Sequence, residues 1–422
     1  MNFNFGHFSR LTVAVWICPF RPFFLLTAVH GVLAMAIWLG FLSGLLPLPD
    51  VAGGPVVWHA HEMLFGFAMA SIVGFLLTAV PEFTGQPSIT RRRLHVLVAL
   101  WLAGRLAFTF SGILTAWPAA LCDLALLLTL IASVAGPLWR QLDRRHVAFI
   151  YNLFALFAVH AGFYAALLGG HDPMLWLRLS IGVLMALIIV ALSRISMRLV
   201  NDVLEAQGGE SAPYMARPPR RNLAIFAIAA YSAGEFLLPG NAAAGWLALA
   251  AAAAIANLLN DWHVGRALLQ RWALIPYLVY VCMALGYALI GLGRLGGNEM
   301  SSAGEHLLVV GSLGLAVLIV MAVAGRMHSG WGLDHRRWLP LGALLLVLAA
   351  LLRAGAGGLF AAISVTGLHA AATLWILCWG IYLAYALKPL CGPRPDGGTG
   401  CDEAAPIANH VVAEPEPSQP AC

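Results

Sequence analysis

Long runs of apolar residues, separated by short polar segments, cover nearly the whole chain. Each run approaches the roughly 20 apolar residues that a helix needs to cross a bilayer. The segments between them are short and rich in glycine and proline, which mark turns. The pattern therefore predicts an all-α bundle of about twelve membrane-spanning helices, beginning near Phe23, His59, Leu94, Ala116, His146, Leu175, Asn222, Ala242, Trp272, Glu305, Trp338 and Ile363.

Composition supports a polytopic membrane protein. Of the 422 residues, 61% are hydrophobic and only 10% are charged, whereas charged residues make up roughly 25% of a soluble domain. So few charges cannot cover a water-exposed surface, and we expect membrane lipids to be the main partner. The net charge of +5 comes from short loops between apolar runs. That distribution suits lipid headgroups and gives no reason to expect nucleic acid.

Basic residues are distributed unequally between the two sets of alternating loops. Two of them, Arg178 and Arg294, fall in one set. Twenty fall in the other set, namely Arg10, Arg21, Arg91, Arg92, Arg93, Arg140, Arg144, Arg145, Arg194, Arg198, Arg217, Arg220, Arg221, Arg266, Arg271, Arg326, Arg336, Arg337, Lys388 and Arg394. Because cytoplasmic loops are enriched in Lys and Arg, both termini are predicted to be cytoplasmic.

The chain divides into a membrane domain over residues 1–388 and a tail over residues 389–422. The tail is rich in proline, glycine and acidic residues and has few apolar ones, which predicts disorder. Seven cysteines occur without any CxxC spacing, so the sequence gives no indication of a disulfide framework.

The stretch WHAHEMLFGF places His59, His61 and Glu62 at the beginning of the second apolar run. Side chains two residues apart on a regular helix point about 200° apart, so the two histidines cannot chelate one ion from such a helix. Two arrangements remain open: the segment is unwound and both imidazoles turn inward, or the histidines serve different centres on different faces. Met63 shares a face with His59, and Glu62 is placed to orient an imidazole.

Ionisable residues within apolar runs are costly and indicate function by default. Arg105 falls in the third run and Asp123 in the fourth, so a structural pairing between them is one interpretation. Glu62, Glu82 and Arg105 are candidates for supporting a bound group or for relaying protons. A structural role, in which the imidazoles bond carbonyl groups, is the alternative for the histidines.

Several stretches together resemble the NnrS family of polytopic membrane proteins. They are FRPFF from Phe20, WHAHEMLFGF from Trp58, GFLLTAVPEFTG from Gly74 and LWLAGRLA from Leu100, in this order and spacing. The resemblance is most specific over the first 110 residues or so. It continues, more loosely but collinearly, through the tenth apolar run to the last.

The resemblance implies a bacterial inner-membrane protein that contains haem and copper and takes part in the response to nitric oxide. It assigns cofactor binding to five histidines, which are His59, His61, His160, His306 and His328. Met63 or a histidine pair such as His59 and His61 then provides copper ligands. Ala284 stands where family members often have a histidine, so one centre is either incomplete or uses another ligand, such as His30, His369 or a cysteine.

Two functional classes remain open from the sequence. A haem and copper protein would either turn over nitric oxide or bind it as a sensor or sink. A proton-coupled transporter without a metal is the alternative, because scattered intramembrane carboxylates are typical of proton relays.

Overall fold

In the computed structural model, the described residues are 14–48, 50–141, 146–208, 212–296, 300–356, 364–398 and 400–401. Within them the chain forms twelve helices of 17 residues or more and no strand. These are α1 Phe20–Leu42, α2 Gly54–Thr84, α3 Arg91–Thr109, α4 Trp117–Trp139, α5 Val147–Leu168, α6 Met174–Ala206, α7 Pro218–Leu237, α8 Ala242–Leu258, α9 Arg271–Gly296, α10 Met300–Met327, α11 Trp338–Ala354 and α12 Ser364–Cys391. Each contains the start of one predicted helix or begins within one residue of it.

Nine of the helices in the described residues are long and apolar enough to cross a membrane, which makes the chain a multi-pass membrane protein. The other three are α3, α7 and α11. Three consecutive arginines open α3, Arg220 and Arg221 lie in the first turn of α7, and α11 has only 17 residues. The prediction of about twelve spans, and that of two cytoplasmic termini, stay predictions.

Helices α2, α6 and α10 form the centre of the bundle. Among the nine candidate spans they have the largest buried fractions, and all three contact one another. Three further helices lie between each central pair: α3 to α5, α7 to α9, and α11, α12 and α1. A helix that is apolar on all sides belongs in such a centre, and this explains why the residues that follow Glu62 in α2 and His306 in α10 are almost all apolar.

Two of the central helices contain a π-helical turn, and each turn begins directly after a histidine. In α2 the turn is Glu62–Ala68, after His61, and in α10 it is Leu307–Leu313, after His306. Both stretches also read His-x4-Gly. Such turns are rare overall, and those that occur are often at functional sites. Their presence at the same position on two central helices therefore makes that position a candidate for a functional role.

Arg21 of the FRPFF stretch joins the two ends of the chain. Its buried guanidinium donates hydrogen bonds to the carbonyl groups of Ala14, Leu390 and Gly392. A cation at the last carbonyls of α12 also complements the negative end of the helix dipole.

The structure contains a disulfide between Cys18 and Cys401, which the sequence analysis did not predict. The partners are 383 residues apart, and nothing in their spacing indicates a pair. Residues 392–398, 400 and 401 follow α12, whereas the rest of the predicted tail, residues 402–422, lies outside the described residues. Because disulfides are unusual in the reducing cytoplasm, this pairing and the arginine-based orientation point to different compartments.

The two basic residues that depart from the charge asymmetry each form an ion pair with a carboxylate. Arg178 of α6 donates through Nε to Glu305 of α10 at 3.1 Å, and Arg294 of α9 donates to Glu235 of α7. Their placement is therefore explained by pairing between helices at the opposite end of the bundle from Arg21.

Candidate metal centre and cofactor pocket

His59 and His61 lie on opposite faces of a regular α-helical segment, Gly54–His61. The unwound arrangement is therefore wrong, and the arrangement with different faces is confirmed. His61 is fully buried and faces α3, α4 and α5. His59 stacks on Trp38 of α1, with ring centroids 4.4 Å apart and an interplanar angle of 14°. The WHAHEM stretch thus supplies one imidazole to each of two separate sites.

The first site is a cluster of His61, Asp123 and His160. The two Nε2 atoms lie 3.3 Å apart, and each lies 3.6 Å from Oδ2 of Asp123. All three side chains are buried. In the described residues this is the one group of three or more such side chains arranged to hold a metal ion.

The spacing fits a metal ion in a tetrahedral site. Ligands at about 2.0–2.1 Å from a tetrahedral ion lie roughly 3.3 Å from one another, close to the separations in the cluster. His61 has the usual support of a metal-binding histidine, because its Nδ1 lies 3.2 Å from Oε1 of Glu62 and donates its proton there, leaving Nε2 as a ligand. His160 lacks that support, since its Nδ1 has no hydrogen-bond partner in the part of the chain that the structure describes.

Glu62 connects the cluster to α1. Its second carboxylate oxygen, Oε2, lies 3.1 Å from Nε2 of His30, which also donates to the Glu62 carbonyl group at 3.1 Å. The helices approach closely here because residue 66 is glycine, and a Cβ at that position would come within 2.3 Å of the His30 ring. The missing side chain at Gly66 therefore lets α1 approach α2 closely.

Arg105 lies between the two buried carboxylates of this region. It donates to Oε1 of Glu62 at 2.8 Å and to both oxygens of Asp123 at 2.5 Å. Tyr164 also donates to Oδ2 of Asp123, at 2.7 Å, and its hydroxyl lies 3.2 Å from Nε2 of His61. The pairing of Arg105 with Asp123 is confirmed, but the same aspartate belongs to the histidine cluster.

Taken together, the cluster and its neighbours Glu62 and Arg105 carry one net negative charge when the histidines are neutral. The single guanidinium of Arg105 offsets only one of the two carboxylates, those of Glu62 and Asp123. Buried charge is costly unless it is compensated. A bound monovalent cation, or one added proton, would make this group neutral. The electrostatics therefore agree with the geometry in favouring a bound cation.

Aromatic rings enclose the two imidazoles. Phe65 stacks on His160 with centroids 3.5 Å apart, and Phe108 stacks on His61 at 3.7 Å. These rings exclude water and fix the imidazole orientations. A further close approach occurs at Gly104, where a Cβ would come within 2.3 Å of Oδ1 of Asp123.

The second site is a cavity between α1, α2, α10, α11 and α12. Its polar lining residues are His59, His306 and Arg353, and the other lining residues are Met35, Trp38, Leu42, Met63, Leu64, Phe67, Val309, Val310, Leu313, Leu368, Ala371, Ala372 and Trp375. An apolar lining with a small number of polar groups is typical of cofactor and small-molecule sites.

Two observations show what this cavity can bind. Nδ1 of His306 lies 2.8 Å from the Ser302 carbonyl group, which can only accept, so Nδ1 carries the proton and Nε2 has a free electron pair. NH1 of Arg353 is buried and has no hydrogen-bond partner among the described residues. The cavity therefore combines an imidazole suited to binding a metal with a buried cation suited to a carboxylate.

His328 joins neither site. It lies at the other end of α10, where its Nδ1 donates to the Cys401 carbonyl group at 2.8 Å. Its Nε2 lies 3.5 Å from Oε2 of Glu82, so two predicted site residues lie together but apart from the metal cluster. Met63 lines the cavity with His59 and is not one of the cluster's three ligands. His369 is half-buried and bonds to Ser43.

Asp123, Tyr164 and Arg353 had no predicted role in binding a metal or cofactor. Asp123 and Arg353 are charged residues inside apolar runs, and this alone indicated a role. The histidines beside which they lie come from other helices. Tyr164 carried no such signal, although it lies one helical turn after His160 on α5.

The comparisons with known proteins are consistent with this architecture. A search of curated proteins finds no match to the chain. Residues 14–394 match the family model described as NnrS protein, a match that includes both sites and all twelve helices. The chain therefore belongs to the NnrS family.

Proposed function

We propose that this protein is a haem- and copper-containing protein of the bacterial inner membrane that acts in the response to nitric oxide. The observation that carries the proposal is the division of WHAHEM between two sites, each with its own imidazole and its own chemistry. Family membership supports the identity of the bound groups.

Copper is assigned to His61, Asp123 and His160. Imidazole and carboxylate ligands suit several divalent metals, and the single negative charge of the cluster favours Cu(I) over a divalent ion. Glu62 fixes the tautomer of His61 by accepting its Nδ1 proton. Tyr164 holds a proton 2.7 Å from Asp123 and close to His61, and this places a proton donor beside the site.

Haem is assigned to the cavity of His59 and His306. Their imidazoles would hold the haem iron, and Arg353 would provide the cation for a propionate. When bound, reduced haem iron and Cu(I) supply affinity for diatomic gases. Nitric oxide is small, neutral and soluble in lipid, so it needs no polar entry path to sites inside an apolar bundle.

The first test concerns the cavity. We expect His306→Ala to lower the haem content per chain on the order of tenfold. Mutating a residue that only hydrogen-bonds to a metal ligand typically lowers metal affinity about 10–100-fold, and removing a ligand should matter at least as much. Arg353→Met should lower it less. Haem is measured by the Soret band of protein made in haem- and copper-replete cells, oxidised, reduced and treated with nitric oxide.

The matched control is His369→Ala, which removes a half-buried histidine of α12 outside the cavity. It should retain the haem content of the wild type and the shift of its Soret band with nitric oxide. A wild-type protein without haem, or a His306→Ala variant with undiminished haem, would refute the assignment.

A proton-coupled transporter is the second candidate. It is favoured by the chain of polar contacts from His30 through Glu62, Arg105 and Asp123 to Tyr164, which connects the five helices α1 to α5. Substrate-dependent proton uptake by proteoliposomes, with protein that retains neither haem nor copper, would support it over the metal assignment.

A further inference from the structure

A further cavity lies at the centre of the bundle, where α2, α6 and α10 face one another. Its wall consists of leucine, isoleucine, valine, alanine, phenylalanine and methionine side chains. Among the described residues that line it, Ser71 alone is polar, and its hydroxyl donates to the Ala68 carbonyl group at 2.7 Å. A buried water typically needs about two to four polar partners, so this wall favours a dry cavity. We call it the central cavity.

The position of the central cavity limits what can occupy it. Three further helices lie between each pair of the central helices, so lipid chains do not reach the cavity from the side. Protein interiors are otherwise close-packed, and few voids larger than a water molecule occur in them. Apolar cavities that stay dry bind small apolar molecules such as xenon. The occupant that fits is therefore small, neutral and apolar, as a dissolved gas is.

The central cavity adjoins the cavity of His59 and His306. Leu313 lines both of them. It is also the last residue of the π-helical turn that begins directly after His306, so the same turn joins the imidazole to the partition between the two cavities. Toward the arginine-rich end of the bundle, Phe75 and Val320 line both the central cavity and a third cavity. Three cavities thus follow one another along α10.

We propose that the central cavity binds small apolar gas molecules and is the passage through which they reach the cavity of His59 and His306. Gas binding depends on the cavity alone, whereas the delivery of nitric oxide to haem rests on the proposed function. The polar contacts from His30 to Tyr164 connect α1 to α5 and are not part of this cavity. An apolar passage through the centre would therefore supply gas without conducting protons or ions.

Gas binding is tested with xenon and the purified full-length protein in detergent, labelled with [¹³C-methyl]methionine. Met321 lines the central cavity and is 1% exposed, whereas Met283 of α9 is equally buried but does not line it. We expect the NMR signal of the Met321 methyl group to shift saturably with xenon pressure, while that of Met283 does not. Ala316→Phe and the milder Ala191→Leu fill the cavity from α10 and α6 and should each weaken the shift.

The passage is tested by the rate at which nitric oxide from solution binds to the reduced haem protein after a laser flash removes it. We expect Ala316→Phe to slow this rate several-fold and to leave the haem content per chain unchanged, because the substitution obstructs the route and not the cavity that holds the haem. Ala253→Phe makes the same substitution at an exposed position of α8 and is the matched control. Its rate and its xenon response should equal those of wild type.

The outcomes separate the two parts of the proposal. Gas binding is overturned if the Met321 signal of wild type shows no saturable shift, or if Ala316→Phe and Ala191→Leu both leave that shift unchanged. The passage is overturned if both variants lose xenon binding but take up nitric oxide at the wild-type rate. A protein that binds xenon and contains no haem would refute the proposed function, and the passage with it, and would leave gas binding standing.

Discussion

Replacing Arg105 with methionine is expected to destabilise the protein by about 3–5 kcal/mol, the range for removing one partner of a buried ion pair. Arg105 is 6% exposed and joins Glu62 on α2 to Asp123 on α4. Without it, two carboxylates remain in an apolar interior with no cation between them. The measurement is thermal unfolding of the purified protein in detergent.

Two further variants identify the cause. Arg105→Lys keeps the charge but not the forked geometry, so we expect an intermediate loss. Arg105→Met/Asp123→Asn removes one of the stranded charges and should recover part of the stability. If Arg105→Met unfolds at the same temperature as wild type, the charge account of the cluster is wrong.

The second large effect is expected from His160→Ala, which removes one of three ligand atoms from the metal cluster. We expect copper to fall from about one ion per chain to a trace, because losing a residue that merely orients a ligand already lowers metal affinity about 10–100-fold. Glu62→Gln weakens the hydrogen bond that orients His61, so it should lower copper affinity by about 10–100-fold. Metal content is measured by elemental analysis after dialysis against a chelator.

His171→Ala is the matched control, since His171 is exposed in the segment that follows α5. Its copper content should equal that of wild type. Stoichiometric copper in a folded His160→Ala variant would remove His160 from the ligand set and leave two side chains, too few for the proposed site.

Much of the helical framework follows from the sequence, because a run of apolar residues in lipid must satisfy its backbone hydrogen bonds internally and therefore becomes a helix. The location of His59 and His61 on opposite faces also follows from helical geometry. The sequence did not decide between that arrangement and an unwound segment, because the answer depends on where the π-helical turn begins. The turn begins at Glu62, so both histidines lie in the regular α-helix before it.

What the sequence could not supply was the pairing of distant helices. Asp123 was recognised as a partner for Arg105, but its place beside two imidazoles requires α2, α4 and α5 to meet at one depth. The same holds for Arg353, which reaches the cavity of His306 from α11, and for the disulfide between Cys18 and Cys401. Spacing along the chain carries no information about such contacts.

The most direct test of the two-site account compares His59→Ala with His61→Ala, each purified from haem- and copper-replete cells. Haem is determined from the Soret band and copper by elemental analysis of the same samples. The account predicts that His59→Ala loses haem and keeps copper, and that His61→Ala loses copper and keeps haem. Loss of the same single group from both variants, with thermal unfolding like that of wild type, would contradict it and show that WHAHEM forms one site.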